Sequence, residues 1–250
     1  MIVCGRPMPV IPGIVRMPMV STHDGAGPAA PAGRCTNIQR IHGLRAGPLA
    51  AERLGFRART GANAMDQVTL ASGRVVLDSP MPDDVDDITR HCQDPLFERY
   101  LTVPWPYRRA DADYFVNEHV PAGWATGREL TWAIRTERGG PLLGVIGLRV
   151  ETSDIGFWMG AEHRGLGHMS EALRLIADWT FDTGCAGIRE IGWECLVGNT
   201  ASASVARRCG FRFTGERPSR VAYRDGSHPP SWTGALRDTD DRSPTSEWPA

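Results

Sequence analysis

The sequence predicts an α/β domain, and three observations carry that prediction. Seven short runs rich in Val, Ile, Leu, Phe and Trp recur between four stretches whose apolar residues have helical spacing. One run, residues 154–159 (DIGFWM), passes through a glycine-bearing loop into the longest helical stretch, residues 167–182. The pair Gly139-Gly140 separates two further runs, 129–135 and 142–150, as a hairpin turn would.

Taken in order, residues 74–78 (RVVLD) read as the first strand. A helix is expected from Asp83 to about His91. Its acidic start suits the positive end of the helix dipole, and Val85, Ile88 and Cys92 share a face. Asp94-Pro95 is expected to stop it. Val103-Pro104-Trp105-Pro106-Tyr107 is a stiff turn whose aromatics either wall an acceptor groove or simply pack. A second helix follows over 110–119, then the strands 129–135, 142–150 and 154–159. The long helix 167–182 places Met169, Leu173, Ile176 and Thr180 along one side. A strand at 188–197, a helix at 200–209 and strands at 211–215 and 231–236 complete the pattern.

Residues 1–64 differ in composition, with Phe56 as the only aromatic and eight Arg against Asp24 and Glu52. So little apolar surface does not offset an ordering cost of roughly 1–2 kcal/mol per residue, so a disordered extension is expected there. The folded domain is expected over 65–240, with a flexible tail over 241–250. The net charge of -1 gives no reason to expect nucleic acid or an anionic membrane as partner. All 28 basic residues are Arg, which excludes lysine chemistry. The six cysteines form no C-x-x-C pair and fit a reducing compartment. Prolines at 7, 9, 12 and 18 interrupt any signal-peptide core, and no run reaches the roughly 20 apolar residues of a membrane span. A cytoplasmic location is therefore expected.

The most informative segment runs from Trp158 to Met169. The first N–H groups of a helix lack internal partners and carry partial positive charge, and Gly165 and Gly167 let an anion approach the backbone closely. Arg164 adds a fixed charge. A P-loop is excluded because no Lys is present, and a dinucleotide fingerprint fails because Ser170 stands where its third Gly belongs. His163 and His168 flank the loop without a partner at metal spacing, so no metal is expected. A second segment places Glu194 on a strand ended by Asn199, then Ser202, Val205, Arg208, Gly210 and Phe211 at fixed offsets.

Together these segments resemble the GCN5-related N-acetyltransferases (GNAT), and most of all their Rim-type ribosomal-protein branch. The loop Arg164-Gly165-Leu166-Gly167-His168-Met169 is similar to the family's coenzyme-A loop, Ser170-Glu171-Ala172-Leu173 to its helix start, and Asn199-Thr200-Ala201-Ser202…Gly210-Phe211 to its later block. The resemblance implies a mixed, mostly antiparallel central sheet of six to seven strands flanked by about four helices. It implies acetyl-CoA as acyl donor, held by the Arg164–Met169 loop and by the backbone of Phe157, Trp158 and Met159. Asn199 either contacts the pantetheine arm, caps the next helix, or does both. Glu194 is either the base that deprotonates the amine through water or a solvated strand carboxylate. Ser202 is either the proton donor to the leaving thiolate or a helix-entry serine. Met169 departs from the usual Gly or Ala and either crowds the pyrophosphate or turns into the core. No Tyr stands at the family's acid position, since Tyr223 lies past the following strand. The implied acceptor is a protein N-terminal amine, with the enzyme a monomer or homodimer. A small-molecule amine, or a coenzyme-A-binding module without turnover, are the alternatives.

Overall fold

The computed structural model describes residues 65–244 and 248–249, so the expected extension over 1–64 lies outside the described residues. The strands are β1 (Leu70–Ala71), β2 (Val76–Asp78), β3 (Glu129–Arg135), β4 (Gly144–Arg149), β5 (Asp154–Met159), β6 (Glu190–Leu196), β7 (Arg212–Pro218) and β8 (Pro230–Arg237). Among the described residues they form one eight-stranded sheet in the order β1-β2-β3-β4-β5-β6-β8-β7. Every pairing is antiparallel except β5 with β6. The short β1 adds a strand to the number expected.

Alternation along β3, β4 and β5 sorts the side chains into two cores, because directly paired residues share a face. Trp132, Ile146 and Phe157 stand opposite one another, and with Leu130, Leu148 and Ile155 they pack against the long helix α5 (His168–Thr183). α5 contributes Met169, Leu173 and Ile176, and α6 (Thr200–Arg208) adds Ala203 and Ala206 on the same side. The other face presents Ala133, Val145 and Trp158 to α1 (Val85–His91), α2 (Pro95–Tyr100) and α3 (Arg109–Tyr114). Each fully buried large apolar side chain contributes about 1.5–3 kcal/mol by leaving water.

Two helical expectations need correction. α1 ends at His91, just ahead of Asp94-Pro95 as expected, but the same pair also starts α2, which was not expected. The Asp94 side chain accepts the Leu96 N–H at 2.9 Å, and Pro95 occupies the first turn, where its missing N–H costs nothing. The helix expected over 110–119 runs further. α3 passes through a π turn at Phe115–His119 into α4 (Val120–Thr126), which Gly127 terminates at a φ of 63°. The wider turn comes just ahead of Pro121, whose ring would clash with a carbonyl of a regular ladder. α4 covers the part of β3 that β2 does not reach, and Trp124 Nε1 donates to the Thr131 carbonyl at 3.1 Å.

A buried ionic knot fixes the helical layer to the sheet. Arg135, 1% exposed, donates to both Asp84 oxygens at 2.7 Å and to Asp78 at 2.7 Å. Asp84 immediately precedes α1, so the knot sets where α1 lies over β3 and β4.

Candidate active site

β5 and β6 pair only where the start of β5 meets the middle of β6. Asp154 pairs with Gly192 and Ile155 with Trp193, and no strand pairs with β5 on that side beyond Ile155 among the described residues. The sheet therefore opens into a wedge. Residues of a paired strand point their polar groups alternately to either side. Gly160 N–H donates across to Leu143 on the β4 side, while the Ser153 carbonyl accepts from Gly192 on the β6 side. The odd-numbered residues thus face the wedge, and Phe157 and Met159 offer their backbone groups to it. The side chains are elsewhere: Phe157 and Met159 belong to the α5 core, while the Trp158 ring stands 5.5 Å from that of Phe97 under α2.

The wedge ends at the glycine loop. Gly165 (φ 77°) and Gly167 (φ 84°) are both left-handed, a conformation that a side chain makes costly. Gly167 caps α5 without a side-chain acceptor, so the N–H groups of His168, Met169 and Ser170 have no partner within the helix. Met169 is 7% exposed and its side chain turns into the core, which leaves its N–H clear. Burial and nearby Arg74 push the His168 imidazole pKa down. Leu166 is exposed.

The positive charge at the loop is not arranged as expected. Arg164 folds back: its Nε donates to the Met159 carbonyl at 3.0 Å and its Nη2 meets Asp94 at 2.7 Å. Arg74 stands over the loop instead, its Nη2 donating to the Leu166 carbonyl at 2.9 Å. A Cβ on Gly167 would lie 3.6 Å from that guanidinium. Nothing in the sequence near Arg74 signals this, because it comes from the β1–β2 turn, 92 residues before Leu166.

Across the wedge, Asn199 caps α6 by accepting the Ser202 N–H at 3.2 Å. Ser202 Oγ accepts the Trp193 indole N–H at 3.2 Å and is hydrogen-bonded to the Cys195 thiol. Burial pushes that thiol up to about 12, so it stays protonated. Glu194 faces the opposite side of the sheet. Its Oε1 accepts the Arg220 N–H at 3.0 Å, and its Oε2 accepts from Arg217 at 3.2 Å and Arg220 Nε at 3.3 Å.

Glu194 belongs to a polar row that sequence reasoning missed. Gly147 and Gly156 are paired across β4 and β5 and leave the middle of this face without side chains. The Glu129 carboxylate reaches over one and the Arg149 guanidinium over the other, each 3.2 Å from where a Cβ would stand. Burial alone would raise the Asp154 pKa, but hydrogen bonds from Arg149 hold it below the usual range. The same balance lowers Glu129, with His119 as its partner at 3.2 Å. The β7–β8 connection is stitched over this face to α2. Tyr223 donates to the Glu98 carbonyl at 2.7 Å, and Arg224 to the Leu101 and Val103 carbonyls at 2.7 and 2.9 Å. Tyr107 is a core residue here, 6% exposed, while Trp105 packs at its edge.

The profile of the acetyltransferase (GNAT) domain matches residues 74–212, more than half of the chain. The chain belongs to the GNAT family. It is an N-acetyltransferase. Several solved structures share the fold, and the three that follow are covered over most of their length. One is a Salmonella typhimurium acetyltransferase described as modifying the N-terminal serine of ribosomal protein L7/L12. It has 18% identity and a TM-score of 0.58, over 68% of this chain and 99% of that one. A second is Mycobacterium smegmatis RimJ in complex with CoA-disulfide, with 19% identity and a TM-score of 0.57, over 69% and 87%. A third is the microcin C7 self-immunity acetyltransferase MccE with acetyl-CoA and AMP, with 19% identity and a TM-score of 0.57, over 66% and 93%. No curated protein matches the chain. Among the described residues, no helix is long and apolar enough to cross a membrane.

Proposed function

We propose that this GNAT domain takes its acetyl group from acetyl-CoA and passes it to a protein N-terminal α-amine. The wedge between β5 and β6 carries the reading. Its β5 edge offers the Phe157 N–H and C=O and the Met159 N–H to an amide-bearing arm, and it ends at unpartnered N–H groups that suit a pyrophosphate. Gly165 and Gly167 admit the phosphates, Leu166, His168 and Met169 contribute backbone, and Arg74 adds charge. Arg164 holds the loop against Asp94. When bound, the thioester supplies an activated acetyl carbonyl.

The acceptor half rests on Glu194. Three donors already occupy its carboxylate. An α-amine of pKa near 8 is roughly a quarter to a third neutral at about pH 7.5, whereas a lysine amine of 10.4 is neutral about once in a thousand. An amine that is partly neutral without help therefore asks least of Glu194. Ser202, held by Asn199 and Trp193, is the proposed proton donor to the departing thiolate. A cytoplasmic location, where ribosomal and other N-termini emerge, fits buried free thiols at Cys92, Cys185, Cys195 and Cys209.

The test has two arms. Acetyl-CoA at 100 times its dissociation constant should stabilise the protein by about 2.7 kcal/mol, seen as a raised melting temperature. With an amine panel, CoA release should follow peptides with free N-termini. A raised melting temperature without CoA release on any amine would leave a binding module. Turnover of polyamines or amino-nucleotides alone would make the enzyme one for small molecules.

A further inference from the structure

His91 ends α1 and is 3% exposed, beside the turn that leads from β5 into the glycine loop. Its Nε2 lies 3.1 Å from the Leu142 carbonyl, with the Arg90 guanidinium a more distant neighbour at 3.4 Å. A carbonyl only accepts, so Nε2 carries the proton and Nδ1 presents its lone pair. That Nδ1 is buried and has no hydrogen-bond partner. The ring can lie there because residue 160 is Gly; a Cβ would collide with it.

Glu162 Oε2 faces Nδ1 at 3.6 Å. The unpartnered Nδ1 and a carboxylate oxygen thus confront each other. His163 completes the group. Its ring meets His91 edge-on at 5.5 Å, and its Nε2 is 3.8 Å from Glu162 Oε1. One donor atom from each of the three residues lies within 4.8 Å of the others.

Zinc-class ions take His nitrogen at about 2.0–2.1 Å and carboxylate oxygen at about 2.0–2.2 Å in a tetrahedron, which separates neighbouring donors by roughly 3.3 Å. Glu162 stands 3.6 Å from His91 and 3.8 Å from His163 through its two oxygens, and bringing the three donor atoms from within 4.8 Å to that spacing takes up to about 1.5 Å of movement, which the partly exposed Glu162 and His163 side chains can supply. A ligating histidine also usually donates its second ring N–H to a backbone carbonyl, as His91 does to Leu142. We propose that His91, Glu162 and His163 form a site for a divalent cation of the zinc class, tying the end of α1 to the turn ahead of the glycine loop. Arg90 now pairs with Glu162; its side chain is 55% exposed and it keeps Asp87 as an alternative partner at 3.0 Å, so it can yield the carboxylate. The two histidines lie 72 positions apart, which is why His163 reads as a plain surface residue in the sequence.

The test uses the full untagged chain, stripped with a chelator, and Zn²⁺ alone as titrant in calorimetry. Co²⁺ serves as a second probe through its visible absorption. One equivalent should bind saturably and raise the melting temperature. Glu162→Gln and His163→Asn change partly exposed side chains, so the metal-free variants should fold and melt like the parent while binding Zn²⁺ roughly tenfold or more weakly. No stoichiometric uptake by the folded parent overturns the proposal. Unchanged affinity in both variants also overturns it, because the metal would then sit on other ligands.

Discussion

On one side of the β5–β6 opening, consecutive backbone groups from Gly165 to Ser170 make the proposed anion site. On the other, side chains of Glu129, Arg149, Asp154, Glu194, Arg217 and Arg220 make the proposed acceptor face, drawn from strands β3 to β7 and the connection beyond. The first site is a matter of φ and ψ in six adjacent residues, with only Met169 and Ser170 turning buried side chains away from it. The second is a matter of which side chains meet, and its backbone is ordinary strand. A backbone site should therefore fail when a glycine is lost, and a side-chain site when a charge is.

The largest effect on affinity that would break this contrast is at Gly167. Gly167→Val forces a branched side chain into a φ of 84° beside Arg74. The strain is about 1–3 kcal/mol; the free loop relieves it by leaving the left-handed conformation, and restoring that conformation for the cofactor lowers acetyl-CoA affinity by roughly ten- to a hundredfold in calorimetry. Glu194→Gln should act on turnover instead. General-base assistance is typically worth 10²–10⁴-fold, so a loss of about a hundredfold or more near pH 7 is expected. The loss should shrink as pH rises past about 8, because the α-amine is then already neutral. Steady-state rates from pH 6 to 9 with saturating acetyl-CoA check this, and a loss that stays constant with pH would make Glu194 a purely structural clamp.

Smaller effects sharpen the comparison. Arg74→Ala should raise the KM for acetyl-CoA about three- to tenfold with kcat nearly unchanged, and the difference should narrow in high salt, which screens an exposed charge. Leu166→Ala should change neither constant beyond about twofold, since Leu166 contributes backbone to the loop and its side chain faces solvent. A larger effect at Leu166 than at Arg74 would mean that side-chain packing, not backbone and charge, holds the cofactor there.

The same contrast decides what was legible in the sequence. Gly165, Gly167 and the following helix could be read because a backbone site is written in adjacent letters, and the Asn199–Ser202 cap for the same reason. The inward turn of Met169 depends on the space under α5, which no local pattern reports. Arg164 misled because a charge in a loop has no direction until Asp94, 70 positions earlier, is placed beside it. Arg74 and the arginines on Glu194 were invisible for the same reason. Strands β3 and β5 were read with their bounds, since alternation is local; α2 was missed because a proline after an aspartate both ends one helix and begins the next.

The account's central claim is that the wedge delivers acetyl to an α-amine, and one peptide can test it. A short ribosomal-type peptide beginning with serine and carrying one internal lysine is incubated with acetyl-CoA and the full chain at about pH 7.5, and tandem mass spectrometry locates the added acetyl group. The account predicts acetylation at the N-terminal nitrogen, with the lysine untouched and with an N-terminally blocked copy of the peptide inert. Acetylation of the lysine in preference to the N-terminus, or turnover that the blocked peptide retains, would contradict it.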